Sequence, residues 1–131
     1  MIVMICGLIG AGKTTFAKAN FDHVTDYDNV GSKARQIIET LGLYRQGQTV
    51  AHITCWPTSL EKKAILEGEA AGDVRMVWIN TGPEQSLKNI FARARPRDME
   101  HLTEVMKVNR ALNEKRLQSS YPWENIDMFT A

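Results

Sequence analysis

Apolar residues along this chain fall in short unbroken runs separated by longer amphipathic stretches. The first run, Ile2 to Cys6, predicts a strand. A helix is predicted from about Gly12 to Asn20, then a short strand from His23 to Thr25. A second helix spans about Ser32 to Leu41, with Ser32 as N-cap and Gly42 as a stop. Thr49 to Cys55 reads as the third strand. Thr58-Ser-Leu-Glu61 has capping-box spacing and opens a helix that Gly72 closes. Val74 to Ile79, nearly continuous in Val, Met, Trp and Ile, fits a strand covered on both faces. Pro83 suits the first turn of a helix whose apolar stripe is Leu87, Ile90, Phe91 and Ala94, and Pro96 breaks it. A further helix covers about Met99 to Gln118, with Leu102, Val105, Met106 and Leu112 inward. A last short strand falls near Asn125 to Phe129. Strands alternating with helices predict α/β architecture with a mostly parallel sheet. Met76, Trp78 and Phe91 are assigned to the core.

Composition narrows the classes. The 131 residues suit one domain, and 44% apolar with 24% charged content supports a packed core. Sixteen basic and 15 acidic groups give a net charge of +1, which argues against a footprint on duplex DNA or an anionic membrane. No run reaches the ~20 apolar residues of a membrane span. With the first strand starting at residue 2, no signal peptide is expected ahead of it, and a reduced, cytoplasmic chain is expected. Cys6 and Cys55 form no metal or redox pattern, and Cys6 reads as a buried small hydrophobe. His23, His52 and His101 are scattered and receive no role.

The chemistry starts where the first strand ends. Gly7-Leu-Ile-Gly-Ala-Gly-Lys-Thr14 is the phosphate-binding pattern G-x-x-x-x-G-K-[ST], placed between a strand and a helix. Such a loop points main-chain N–H groups at anionic oxygens, and the helix behind it adds the positive end of its dipole. The expected nucleotide contacts are Gly7, Leu8, Ile9, Gly10, Ala11, Gly12, Lys13, Thr14 and Thr15. Lys13 reaches the β- and γ-phosphates, and the Thr14 hydroxyl holds magnesium.

Three further segments bear on the reaction. Thr25-Asp-Tyr-Asp-Asn29 follows the second strand, on the side where an open parallel sheet binds ligands. A carboxylate there, Asp26 or Asp28, can take the proton of an attacking hydroxyl or help hold the metal through water. Arg93-Ala-Arg-Pro-Arg97 straddles a helix break, as a mobile lid would, and an arginine fork stabilises a moving phosphoryl group. The end of the third strand, Ile53 to Pro57, has Cys55 where a magnesium-shell acid is expected, and Trp56 either walls the pocket or packs. Lys33 and Arg35 are possible acceptor ligands on the Asp28 side.

Together these features resemble the small P-loop kinases that include polynucleotide 5′-hydroxyl kinases and zeta-toxin-like kinases, AAA-type ATP-binding kinases. The matching parts are Gly7 to Thr14, the Asp26-Tyr-Asp28 turn, the segment from about Val50 to Asn80, and the helix from Pro83 to Arg97. The resemblance implies one P-loop kinase-like domain over residues 1–131. It implies a P-loop NTPase fold with an open parallel five-stranded sheet of order 2-3-1-4-5 and helices on both faces. It also implies transfer of the γ-phosphoryl group of ATP, with Mg2+, to a hydroxyl or phosphate acceptor. By position, Lys13 and Thr14 hold phosphates and metal, with Asp26 at the metal. Asp28 is the base, and Arg93, Arg95 or Arg97 is the lid arginine, with Arg93 and Arg95 the candidates for the transfer step and Arg97 the candidate for binding the nucleotide. The chain departs from the group at Cys55 and in Arg35, which lies seven residues beyond Asp28 rather than three.

The expected activity is therefore ATP-dependent phosphotransfer to a nucleotide, a nucleic-acid end or a small metabolite. The alternative is an ATP-binding module with little turnover, motivated by Cys55. A guanine-specific switch is disfavoured because Asn-Lys-x-Asp does not occur.

Overall fold

In the computed structural model, residues 1–128 are described. Strand β1 (Ile2–Cys6) is buried at every position and lies at the centre of a five-stranded sheet of order β2-β3-β1-β4-β5. The partners are β2 (His23–Thr25), β3 (Val50–Ile53), β4 (Val74–Ile79) and β5 (Trp123–Ile126), and each pairing is parallel. The register sets Ile5 beside Ile53 on one side and Val77 on the other. All carboxyl ends thus gather at one edge, the edge where the glycine-rich loop leaves β1. The expected fold class and strand order are those observed.

The helices are α1 (Lys13–Asn20), α2 (Tyr27–Val30), α3 (Lys33–Arg45), α4 (Ser59–Glu61, continued by π-type turns over Lys62–Leu66), α5 (Pro83–Arg93), α6 (Pro96–Glu100) and α7 (Leu102–Gln118). Ser32 caps α3 as expected, accepting from the Arg35 amide. The helix runs through Gly42 to Arg45, because a helical glycine costs only about 1 kcal/mol and Leu41 and Tyr44 dock on the core. Beyond its end at Arg45, the chain turns at Gly47, where φ is 81° and the amide bonds back to Tyr44 O.

Other boundaries shift for identifiable reasons. β3 stops at Ile53, two residues early, because the neighbouring loop leaves the sheet at Gly7. The last ladder-like bonds are Thr54 N–H to Ile5 O (3.0 Å) and Gly7 N–H to Cys55 O (3.3 Å). The Thr58–Glu61 capping box forms. Its helix reaches only Leu66, not Gly72, because wide turns such as Glu67 N–H to Lys62 O interrupt the 3.6-residue period. The helix expected from Met99 is instead two, α6 and α7, divided at His101. The last strand begins at Trp123, earlier than expected, and Phe129 lies outside the described residues.

The core lies mainly on and around the sheet, with Met76 and Trp78 in it as expected. Cys6 is buried. Phe91, Ala94 and Met106 are exposed and do not belong to the core. The reason is rotational: α5 approaches the glycine-rich loop through Ser86 and Ile90, and α7 buries Val105, Asn109 and Leu112, which turns those three side chains outward. Among the described residues, no helix is long and apolar enough to cross a membrane.

Candidate active site

At the carboxyl edge of the sheet a cleft of about 690 Å³ opens over the glycine-rich loop. Its walls include Gly10 to Thr15, Asp26 and Asp28, Lys33, the Thr54-Cys55-Trp56 segment, and Arg93, Arg95 and Arg97. The three separated segments singled out in the sequence therefore meet around one space.

The loop is shaped by its neighbours. Gly10 has φ of 84°, and a Cβ there would lie 2.7 Å from Ser86 O and 2.8 Å from Ile90 Cγ1. Only glycine lets α5 approach this closely. Gly7 N–H donates to Cys55 O, Ile9 N–H to Asn109 Oδ1 and Ala11 N–H to Leu8 O. Those three amides, expected among the phosphate donors, thus have partners within the protein, and Leu8 is fully buried. Among the described residues no hydrogen bond engages the amides of Gly10, Gly12, Lys13, Thr14 or Thr15. The last three belong to the first turn of α1, whose amides have no intrahelical acceptor. These donors fit an anionic phosphate tail. The Lys13 ammonium sits on the loop itself, donating to Gly7 O (3.0 Å) and Leu8 O (2.6 Å), with Cys55 Sγ at 3.5 Å.

Asp26 and Asp28 lie on one short capped turn. Asp26 Oδ1 accepts the Asp28 amide at 2.9 Å, which starts α2. Asp28 is held by two arginines that flank Pro96, Arg97 at 3.3 Å and Arg95 at 3.5 Å. Arg93 instead pairs with Asp98, at 2.7 Å, and Asp98 is buried at the start of α6. Among the described residues, no group of three or more His, Cys, Asp or Glu side chains gathers to hold a metal.

Beside Lys33 and Thr54, on one wall of the cleft, lies a buried network that the sequence does not announce. Glu61, fully buried, accepts from Lys33 Nζ (3.2 Å), the Thr58 amide (3.0 Å), Thr54 Oγ1 (3.1 Å) and His52 Nε2 (2.5 Å). Burial alone would raise the Glu61 carboxyl. The hydrogen bonds from His52 and Thr58 and the nearby Lys33 charge outweigh it and lower it to about 2. Burial depresses His52, against the pull of Glu61. We assign a neutral imidazole whose Nε2–H donates to an ionised Glu61, with Nδ1 facing Thr40 Oγ1 at 2.7 Å. Lys33 also donates to Gln36 Oε1 and Thr54 Oγ1, so its three N–H groups are used inside the protein. Arg35 is exposed and takes part in the α3 cap through its amide alone. The sequence signal for Glu61 was the capping box, which identifies one carboxylate oxygen and says nothing about the other.

Trp56 does both things allowed for it: it lines the cleft and packs in a cluster with Trp78, Tyr121 and Trp123, ring centroids 5.4–5.9 Å apart. Asn109 was missed. Its only signal is an amide on the buried Val105–Leu112 stripe of an otherwise solvated helix.

No protein-family model matches the chain, and no curated protein matches it in sequence. Solved structures do resemble it. Deoxyadenosine kinase from M. mycoides with bound dATP superposes with a TM-score of 0.56 at 14% identity, covering 97% of this chain and 91% of that one. A sugar kinase from Janibacter sp. HTCC2649, unliganded, gives 0.60 at 15% identity, covering 99% and 86%. The chain thus has the fold of P-loop kinases.

Proposed function

We propose that this chain is an ATP- and magnesium-dependent phosphotransferase that moves a γ-phosphoryl group to a hydroxyl or phosphate of a nucleotide, nucleic-acid end or small metabolite. One observation carries the reading. The unpartnered amides of the loop, Lys13, the Asp26–Asp28 turn and the lid arginines line a single cleft. The likeness to a deoxyadenosine kinase and a sugar kinase supports phosphotransfer as the reaction class.

The roles follow from charge and reach. The amides of Gly10, Gly12, Lys13, Thr14 and Thr15 cradle the phosphates, and Lys13 leaves the loop carbonyls to neutralise the β- and γ-oxygens. The Thr14 hydroxyl and Asp26 would hold magnesium. The ion supplies charge neutralisation at the phosphates. Asp28 accepts the acceptor proton. Arg93, Arg95 and Arg97 stabilise the equatorial oxygens and the nucleotide from the lid. Lys33 shapes the acceptor side through Glu61 and does not itself grip a substrate.

A second reading is a binding module with little turnover. It is favoured by Cys55 at the end of β3 and by the burial of Glu61, which keeps the nearest β3-side carboxylate out of the cleft. Acceptor-dependent ADP release, measured with magnesium and ATP over a panel of nucleosides, nucleotides, 5′-hydroxyl oligonucleotides and sugars, separates the two. Release with any acceptor supports the transferase. Tight ATP uptake without release from the panel supports the module.

A further inference from the structure

Three successive carbonyls of the glycine-rich loop are each held by a side chain from elsewhere in the fold. Ile9 O accepts from Asn109 Nδ2 at 3.0 Å, Gly10 O from Asn89 Nδ2 at 2.8 Å, and Ala11 O from Thr81 Oγ1 at 2.8 Å. The donors come from α7, α5 and the β4–α5 connection. Asn109 makes a second bond, accepting Ile9 N–H at 2.8 Å. This reciprocal pair fixes the orientation of its amide, since a flip would set donor against donor.

A trans peptide carries its C=O and the next N–H on opposite sides. Holding Ile9 O away from the cleft therefore turns Gly10 N–H towards it. Holding Ala11 O does the same for Gly12 N–H. The intervening amide, Ala11 N–H, bends back to Leu8 O. The two outer amides are among those that no protein group engages. Asn109 and Thr81 are 3% and 5% exposed and neither lines the cleft, so both act on the loop out of a ligand's reach. A buried amide on an apolar helical stripe is costly unless satisfied, and here one residue of the loop, Ile9, 100 positions away, bonds both its oxygen and its nitrogen.

We propose that Asn109 and Thr81 are positioning residues for triphosphate binding. They aim the Gly10 and Gly12 amides by gripping the carbonyls behind them, and Asn109 ties the loop to α7, the helix that follows the arginine lid. This rests on the reading of the loop as a phosphate cradle.

The test is calorimetry of ATP binding with Mg2+ for the wild type, Asn109→Leu and Thr81→Val. Both substitutions keep approximate shape and remove the carbonyl donor. Ile65→Val, in the core away from the cleft, is the stability control. Each donor variant is expected to weaken ATP about tenfold, the effect of losing one well-aimed bond to a charged group. The KM for ATP rises in step while kcat at saturating ATP stays within about twofold, because the cradle binds phosphate rather than moving protons. Ile65→Val should keep wild-type affinity despite a lower unfolding midpoint. If Asn109→Leu does not fold, Thr81→Val decides alone. Unchanged ATP affinity in a folded donor variant overturns the inference, as does an equal loss in Ile65→Val. Wild-type protein that takes up no purine triphosphate overturns the cradle reading and this inference together.

Discussion

Asp28 and Arg97 form an ion pair of 3.3 Å across 69 residues of chain, and Arg95 closes on the same carboxylate from the other side of Pro96. The group proposed as base is thus held by groups proposed to hold phosphate. Both arginines and Asp28 are about half exposed, so the pairs are weak and exchangeable. Asp28→Asn should lower turnover by about 10²–10⁴-fold, the usual worth of a general base. It should also tighten ATP binding a few-fold, by releasing two guanidiniums to the phosphates. Paired kinetics and calorimetry check this. Unchanged ATP affinity would show that these arginines do not meet the nucleotide.

Among the described residues, Lys13 is the one cation whose partners are loop carbonyls rather than a carboxylate. Replacing it with Ala should weaken ATP by about 10–100-fold, the worth of a charged hydrogen bond, with little change in the urea midpoint. A large stability loss at unchanged ATP affinity would make its role structural.

The two thiols should differ sharply. Cys6 is buried, and burial raises its thiol pKa well above the ordinary value, ahead of the Glu61 charge. Cys55 is half-buried, faces the cleft and lies 3.5 Å from Lys13 Nζ. A maleimide should modify Cys55 alone in the native state, and ATP should slow the reaction. Mass spectrometry of the labelled chain reads both. Equal labelling with and without ATP would place the nucleotide away from Cys55.

Gly10→Ala adds a methyl that meets Ser86 O at 2.7 Å at a positive φ. Gly47→Ala has a similar φ but no atom within 4 Å. The first should lose about 3 kcal/mol and the second about 1 kcal/mol, since only the first adds a clash to the strain. Urea unfolding of both variants gives the difference. Equal losses would mean α5 moves aside.

Acid should unfold this protein in two stages. His52 has a depressed pKa, so its neutral state stabilises the fold above about 6.5 and that stability declines below it. Glu61, at about 2 against 4.5 when free, supports the fold at higher pH and loses that support as pH falls from 4.5 towards 2. The Glu61 shift corresponds to about 3 kcal/mol at neutral pH. Glu61→Gln should flatten the lower stage and destabilise the protein at pH 7, because Lys33 then lacks its counter-charge. Urea midpoints from pH 8 to pH 3 test this. A flat profile in the wild type would remove the ionised pair.

The sequence by itself determined what depends on neighbouring residues. The glycine-rich loop, the capping box at Thr58, the Ser32 cap and the all-apolar β1 are local patterns, and main-chain geometry over a few residues settles them. The parallel sheet was expected from the alternation of strands and helices and its order through resemblance, and both are present. Tertiary structure alone decided which side chains face which. Asp28 meets Arg95 and Arg97, Glu61 turns its second oxygen on His52 and Lys33, and Asn109 grips Ile9. Of the stripe expected on α5, Ile90 is buried as expected, while Phe91 faces solvent because the helix meets the loop through Ser86 and Ile90. Helical period fixes which residues share a face, but the rotation of that face is set by packing against chain far away, and no local pattern encodes it.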